Sequence, residues 1–129
     1  MPVELQVLGY AALLQYLQFM LMAVPVNLQL GVSYTAGARD EQRQPTGVAG
    51  RLFRALNNHT ENLVLFTIAV LVVVLGDASN DITQGAAWTY LGARVVYVPA
   101  YATGVYLLRS LIFAVGWLAT LTMLLVALF

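Results

Sequence analysis

Along the 129-residue chain, apolar positions gather into four stretches separated by three polar breaks. The first stretch runs from about Leu5 to Leu30 and carries Gln15, Gln18 and Pro25 within it. The second begins near Arg51, turns strongly apolar from Leu63 and ends at Gly76. The third runs from about Ala86 to Ala102, and the fourth from Tyr106 to Phe129. Crossing a hydrocarbon core takes roughly 20 residues of helix, so each stretch is long enough to span. The second and third reach that length only by including polar residues. The pattern predicts an all-α fold: a single transmembrane domain over residues 1–129, a four-helix bundle with spans of about 5–30, 51–76, 86–102 and 106–129.

Composition agrees with lipid as the solvent. Hydrophobic residues make up 60% of the chain and charged residues 9%, against about a quarter charged in a soluble domain. Mean hydropathy is +0.79. The chain starts Met1-Pro2-Val3-Glu4, with no basic residue ahead of the first apolar run, so that run is expected to be a retained span and not a removed signal. All six basic residues are arginine, and six acids balance them. A neutral chain of this kind offers no electrostatic footprint for nucleic acid. With no cysteine and one histidine, His59, it has no set of metal ligands, and thiol chemistry would have to come from a substrate.

Arginine position sets an expected orientation. Arg39, Arg43, Arg51 and Arg54 lie in or beside the break at Gly31–Gly50, and Arg109 lies just past the turn at Thr103-Gly104. The Asp77–Gly85 break and both termini carry none. Loops 31–50 and 102–105 are therefore expected in the cytoplasm, with both termini on the outer side.

The second stretch carries the clearest polar face. At 100° per residue, Arg51, Arg54, Asn58, Glu61 and Asn62 fall within an arc of about 100°. Ionised groups at bilayer depth face a bundle interior or a wet cavity and seek partners. Within the chain, Arg54 and Arg94 are the candidate partners of Glu61. One account is a buried ion network that only pins helices together. The other is a ligand site: Arg51, Arg54, Arg94 and Arg109 outnumber the single Glu61, and a cationic surplus in a low-dielectric place calls for an anionic ligand. His59, alone near the start of its helix, reads as an interfacial residue. In the third stretch Arg94, Tyr97 and Tyr101 share a face, with Tyr90 one turn back and Pro99 between the tyrosines. Tyr106 suits an aromatic belt at headgroup level. Phe113 and Trp117 are either lining of a groove or plain lipid-facing residues.

The ordered pair Arg54-Ala55-x-x-Asn58-x-x-Glu61 and Arg94-x-x-Tyr97-x-x-x-Tyr101, followed by Arg109-Ser110-Leu111, resembles the MAPEG family, the membrane-associated proteins in eicosanoid and glutathione metabolism, and most of all its bacterial branch. The resemblance covers essentially the whole chain. It implies a homotrimer in the bacterial inner membrane, with glutathione as co-substrate bound between subunits near the cytoplasmic side, and no metal. It further implies that Arg54, Asn58 and Glu61 hold the peptide's carboxylates, backbone and amino group. Arg51, Arg94, Tyr97 and Tyr101 line the same site, and Arg109 is the catalytic residue beside the thiol. Asn62 stands where better-known members carry a tyrosine. The function so implied is glutathione transferase or peroxidase chemistry on lipophilic electrophiles or lipid hydroperoxides. Alternatives are a non-catalytic membrane subunit that keeps the fold, and a small four-helix exporter. The exporter would need a carboxylate in the first helix, where only Glu4 is available.

Overall fold

The computed structural model describes residues 1–105 and 107–129; Tyr106, expected in the aromatic belt and at the head of the fourth span, lies outside them. The described residues form helices alone: α1 (Val3–Leu30), α2 (Val32–Thr35), α3 (Gly47–Leu75), α4 (Asp81–Thr103) and α5 (Leu108–Leu128). Three of them, α1, α3 and α5, are long and apolar enough to cross a membrane. α4 has 23 residues but is not among these three, because its arginine, tyrosines and other polar side chains dilute its hydropathy.

The helix boundaries follow local chemistry. Gly31 takes φ +92°, which ends α1. The expected polar loop after it is not wholly irregular. Tyr34 and Thr35 donate their backbone N–H groups to the Gly31 carbonyl at 3.2 and 3.1 Å, closing the short helix α2. Gln29 then ties the end of α1 to the start of α3: its Nε2 donates to the Thr46 carbonyl at 3.1 Å and its Oε1 accepts from Thr46 N at 2.5 Å. α4 begins several residues before the apolar run does. Asn80 caps it, accepting from Thr83 N at 3.0 Å while Asn80 N donates to Thr83 Oγ1 at 2.8 Å, a reciprocal capping box. Gly104, at φ +70°, ends α4 in the left-handed conformation that favours glycine.

The four long helices pack side by side. α3 and α4 each touch all the other long helices, whereas α1 and α5 share no packing among the described residues. Between two apolar surfaces in lipid there is no hydrophobic gain to drive association, so close backbone approach and dispersion must hold helices together. Ala11, Ala55, Ala69 and Ala87, all fully buried, permit that approach. The main core is built on Val7, Phe66, Val70, Val73, Tyr90 and Met123. Phe66 and Tyr90 stack with ring centroids 3.9 Å apart, fixing α3 against α4. A smaller cluster of Met22, Val26, Ala49 and Leu56 joins α1 to α3 nearer the arginine-rich end.

Candidate functional site

The first half of α3, the second half of α4 and the start of α5 bring four arginines and two tyrosines together. Tyr101 sits at the centre. Arg54 Nε donates to its hydroxyl at 3.1 Å. The Arg109 guanidinium lies 5.0 Å above its ring centroid, and that of Arg54 lies 5.8 Å from the same ring. Two cations thus lie within reach of one aromatic ring, contacts that the ring quadrupole favours and that pair neither charge with a carboxylate. Tyr97 meets Tyr101 edge to face at 5.6 Å. Tyr101, Gly104, Leu107, Arg109 and Ser110 border a cavity of about 220 Å³. That is smaller than the roughly 300 Å³ at which drug-sized ligand pockets begin.

The remaining residues divide into those that face outward and those that stand behind. Arg94 is 2% exposed. Its guanidinium lies 4.3 Å from the Tyr97 ring, and its Nη1 donates to Asn58 Oδ1 at 2.9 Å. Asn62 supports the same asparagine: its Nδ2 donates to the Asn58 carbonyl at 2.8 Å and to Asn58 Oδ1 at 3.2 Å. Arg94 therefore holds Asn58 and Tyr97 from within the protomer and does not line an open surface of it. Arg51 Nε donates to the Ala102 carbonyl at 2.9 Å, capping the carbonyl end of α4. The Arg51 guanidinium packs close to Gly104, where a Cβ would meet its nearest atoms at 3.5 Å, ordinary van der Waals contact.

Glu61 is exposed, and its expected pairing with Arg54 or Arg94 does not occur; the one ion pair among the described residues joins Arg43 to Glu41 at 3.2 Å. The reason is geometric. Arg94 points into the protomer, while Arg54 turns toward Tyr101 and Glu61 points outward. A closed ion network is thus absent from this cluster. His59 is likewise not interfacial. It is fully buried, with Nε2 3.1 Å from the Ala11 carbonyl of α1. Tyr90, on the same stripe as Arg94, is part of the core. At the far end of the protomer Glu4 is buried too, which sequence alone did not indicate. Its Oε1 accepts from Ser79 Oγ at 2.7 Å and from Thr83 Oγ1 at 2.8 Å.

What the cluster can do follows from its donors. Guanidinium groups hold carboxylates in two-point contacts, tyrosine hydroxyls donate single bonds, and an exposed carboxylate accepts from an amine. A ligand with carboxylates, an amine and a polar backbone fits that set. No curated protein and no solved structure matches the chain. Among protein families, the MAPEG family matches it over residues 7–129. With its three apolar helices, this is an integral membrane protein, and the chain belongs to the MAPEG family.

Proposed function

We propose that the protein binds glutathione on the face formed by Arg54, Tyr101, Arg109, Asn58 and Glu61, and activates its thiol for attack on lipophilic electrophiles or lipid hydroperoxides. The family includes glutathione transferases and peroxidases alongside non-catalytic members. The observation that carries the proposal is the unpaired state of the cluster: Arg54 and Arg109 crowd one tyrosine without a carboxylate, while Glu61 is displayed without a cation. Within a bilayer such charges need an occupant. Glutathione brings carboxylate for Arg54, a thiol for Arg109 and one amine for Glu61.

The supporting frame is a homotrimer of four-span protomers in a bacterial inner membrane. In this reading α4 is the remaining span: its polar side, which carries Arg94 and the tyrosines, is turned to Asn58 of α3, so a low hydropathy is no bar to burial between helices. Both termini lie outside, and loops 31–50 and 102–105 lie in the cytoplasm. A second copy would complete a site for which the protomer's own cavity is too small.

Arginine stays protonated and cannot take the thiol proton, which leaves to water. Arg109 instead stabilises the thiolate. Lowering a thiol pKa by about two units takes about 2.7 kcal/mol, within reach of a charge-assisted hydrogen bond in a dry site. The sulfur then bonds to electrophilic carbon and displaces its leaving group. With a hydroperoxide it attacks a peroxide oxygen, breaking the O–O bond to release the alcohol and leave a sulfenic acid that a second glutathione converts to disulfide and water.

The direct experiment is titration of the purified protein with glutathione while ultraviolet absorbance reports thiolate. A saturating thiolate signal that Arg109→Ala abolishes, with binding retained, is the expected result. Binding without thiolate in the parent protein would place it with the non-catalytic members. Topology has its own test, because the chain has no cysteine. Single cysteines at Gln42 and Ala78 should label from opposite sides of intact membranes, Gln42 from the cytoplasm. Labelling from one side would end the four-span reading.

A further inference from the structure

Away from Tyr101, a second recess of about 510 Å³ opens between the end of α1, α2, the following loop and the start of α3. Phe19, Met22 and Val26 of α1 and Phe53 of α3 form its apolar walls, and Arg39 and Arg43 stand among its lining residues. From Phe19 to Leu30, α1 rises about 16 Å, close to half of the roughly 30 Å hydrocarbon core. The recess thus has the depth of one leaflet, with cations toward the end where headgroups lie.

The two arginines are held in place. Arg39 donates Nε and Nη2 to the Thr35 carbonyl at 3.1 and 2.8 Å. Arg43 donates Nη1 to the Leu30 carbonyl at 3.2 Å and Nη2 to Glu41 at 3.2 Å, and its guanidinium lies 4.8 Å from the Tyr34 ring centroid. Capping of helix ends accounts for those backbone bonds. It leaves Arg39 Nη1 and Arg43 Nε without a partner among the described residues. Glu41 is the one acid bonded to either arginine, and neither it nor Asp40 lines the recess. A small soluble anion would use the cations and ignore the apolar walls, whereas a neutral lipid would do the reverse.

We propose that this recess binds an anionic phospholipid, its phosphate against Arg39 and Arg43 and one acyl chain along Phe19, Met22 and Val26. Charge and length together select that occupant, since basic recesses between membrane helices recognise anionic headgroups.

Native mass spectrometry of the full chain, released from an equimolar mixture of phosphatidylglycerol and phosphatidylcholine with identical acyl chains, tests this. The anionic lipid should be retained about thirtyfold over the neutral one, the scale expected for two arginines near the membrane surface. The double variant Arg39→Gln, Arg43→Gln should bring retention near parity. Val26→Trp, which narrows the wall without touching charge, should lower retention of phosphatidylglycerol. Glycerol phosphate, which lacks acyl chains, should not displace it. Equal retention of both lipids by the parent would overturn the proposal without any variant needing to fold. So would an unchanged preference in the folded double variant, or displacement by glycerol phosphate, which would mark a site for soluble anions.

Discussion

Two carboxylates of this chain, Glu4 and Glu61, are treated in opposite ways by the fold. Glu4 is 0% exposed and receives hydroxyl donors from Ser79 and Thr83. It lies in the first turn of α1, and Thr83 lies in the first turn of α4, so the positive ends of two helix dipoles meet at its carboxylate. Glu61 sits in the middle of α3, exposed, with no ion pair and no hydrogen bond among the described residues. A carboxylate that accepts two hydroxyl donors from within the chain is a fastening, although Glu4 Oε2 has no partner among the described residues. One displayed at bilayer depth beside unpaired arginines is set for a partner from outside the protomer. Arg94 differs from Arg54 and Arg109 in burial: it bonds Asn58 through Nη1 from inside the bundle, with Nε and Nη2 buried and unpartnered among the described residues.

That contrast breaks first at Glu4. Glu4→Ala removes the hydrogen bonds from Ser79 and Thr83 and leaves Ser79 Oγ without its acceptor, so unfolding in mixed micelles should show a loss of about 2 to 4 kcal/mol. Glutathione affinity of the folded fraction should not change. If Glu4→Ala is as stable as the parent, the fastening reading of Glu4 is wrong.

At the opposite end the effect should move from stability to binding. Arg54→Ala should weaken glutathione by about 1.5 to 3 kcal/mol, measured by calorimetry on folded protein, with little change in the unfolding midpoint. The smallest effect belongs to Arg51. Loss of its bond to the Ala102 carbonyl should cost about 1 kcal/mol of stability, visible in the same unfolding assay. An Arg51→Ala protein that is unchanged in stability but poor in binding would show Arg51 to be a ligand contact and not a cap.

Much of this architecture was legible in the chain. Apolar runs located the long helices, and 3.6-residue spacing placed Arg54, Asn58 and Glu61 on one face of α3, and Arg94, Tyr97 and Tyr101 on one face of α4. Periodicity gives a face but not its neighbour. It could not tell that Arg94 turns to Asn58 and Glu61 turns away. The start of α4 was hidden because Asp81–Gly85 is polar; its signal was the Asn80-x-x-Thr83 capping spacing, weaker than the usual glutamate or glutamine version. The burial of Glu4 went unread and His59 was misjudged for a related reason. Each depends on a group far along the chain, Thr83 for one and the Ala11 carbonyl for the other, and single-helix patterns carry no record of such partners.

Glutathione binding to Glu61→Gln tests the central claim most directly, because this change removes a charge without altering size and the parent residue has no partner to lose. Isothermal titration of folded parent and variant should show the variant weaker by about 1.5 to 3 kcal/mol, roughly tenfold to a hundredfold in Kd, with both proteins equally stable. A folded Glu61→Gln protein that binds glutathione as tightly as the parent would contradict the account.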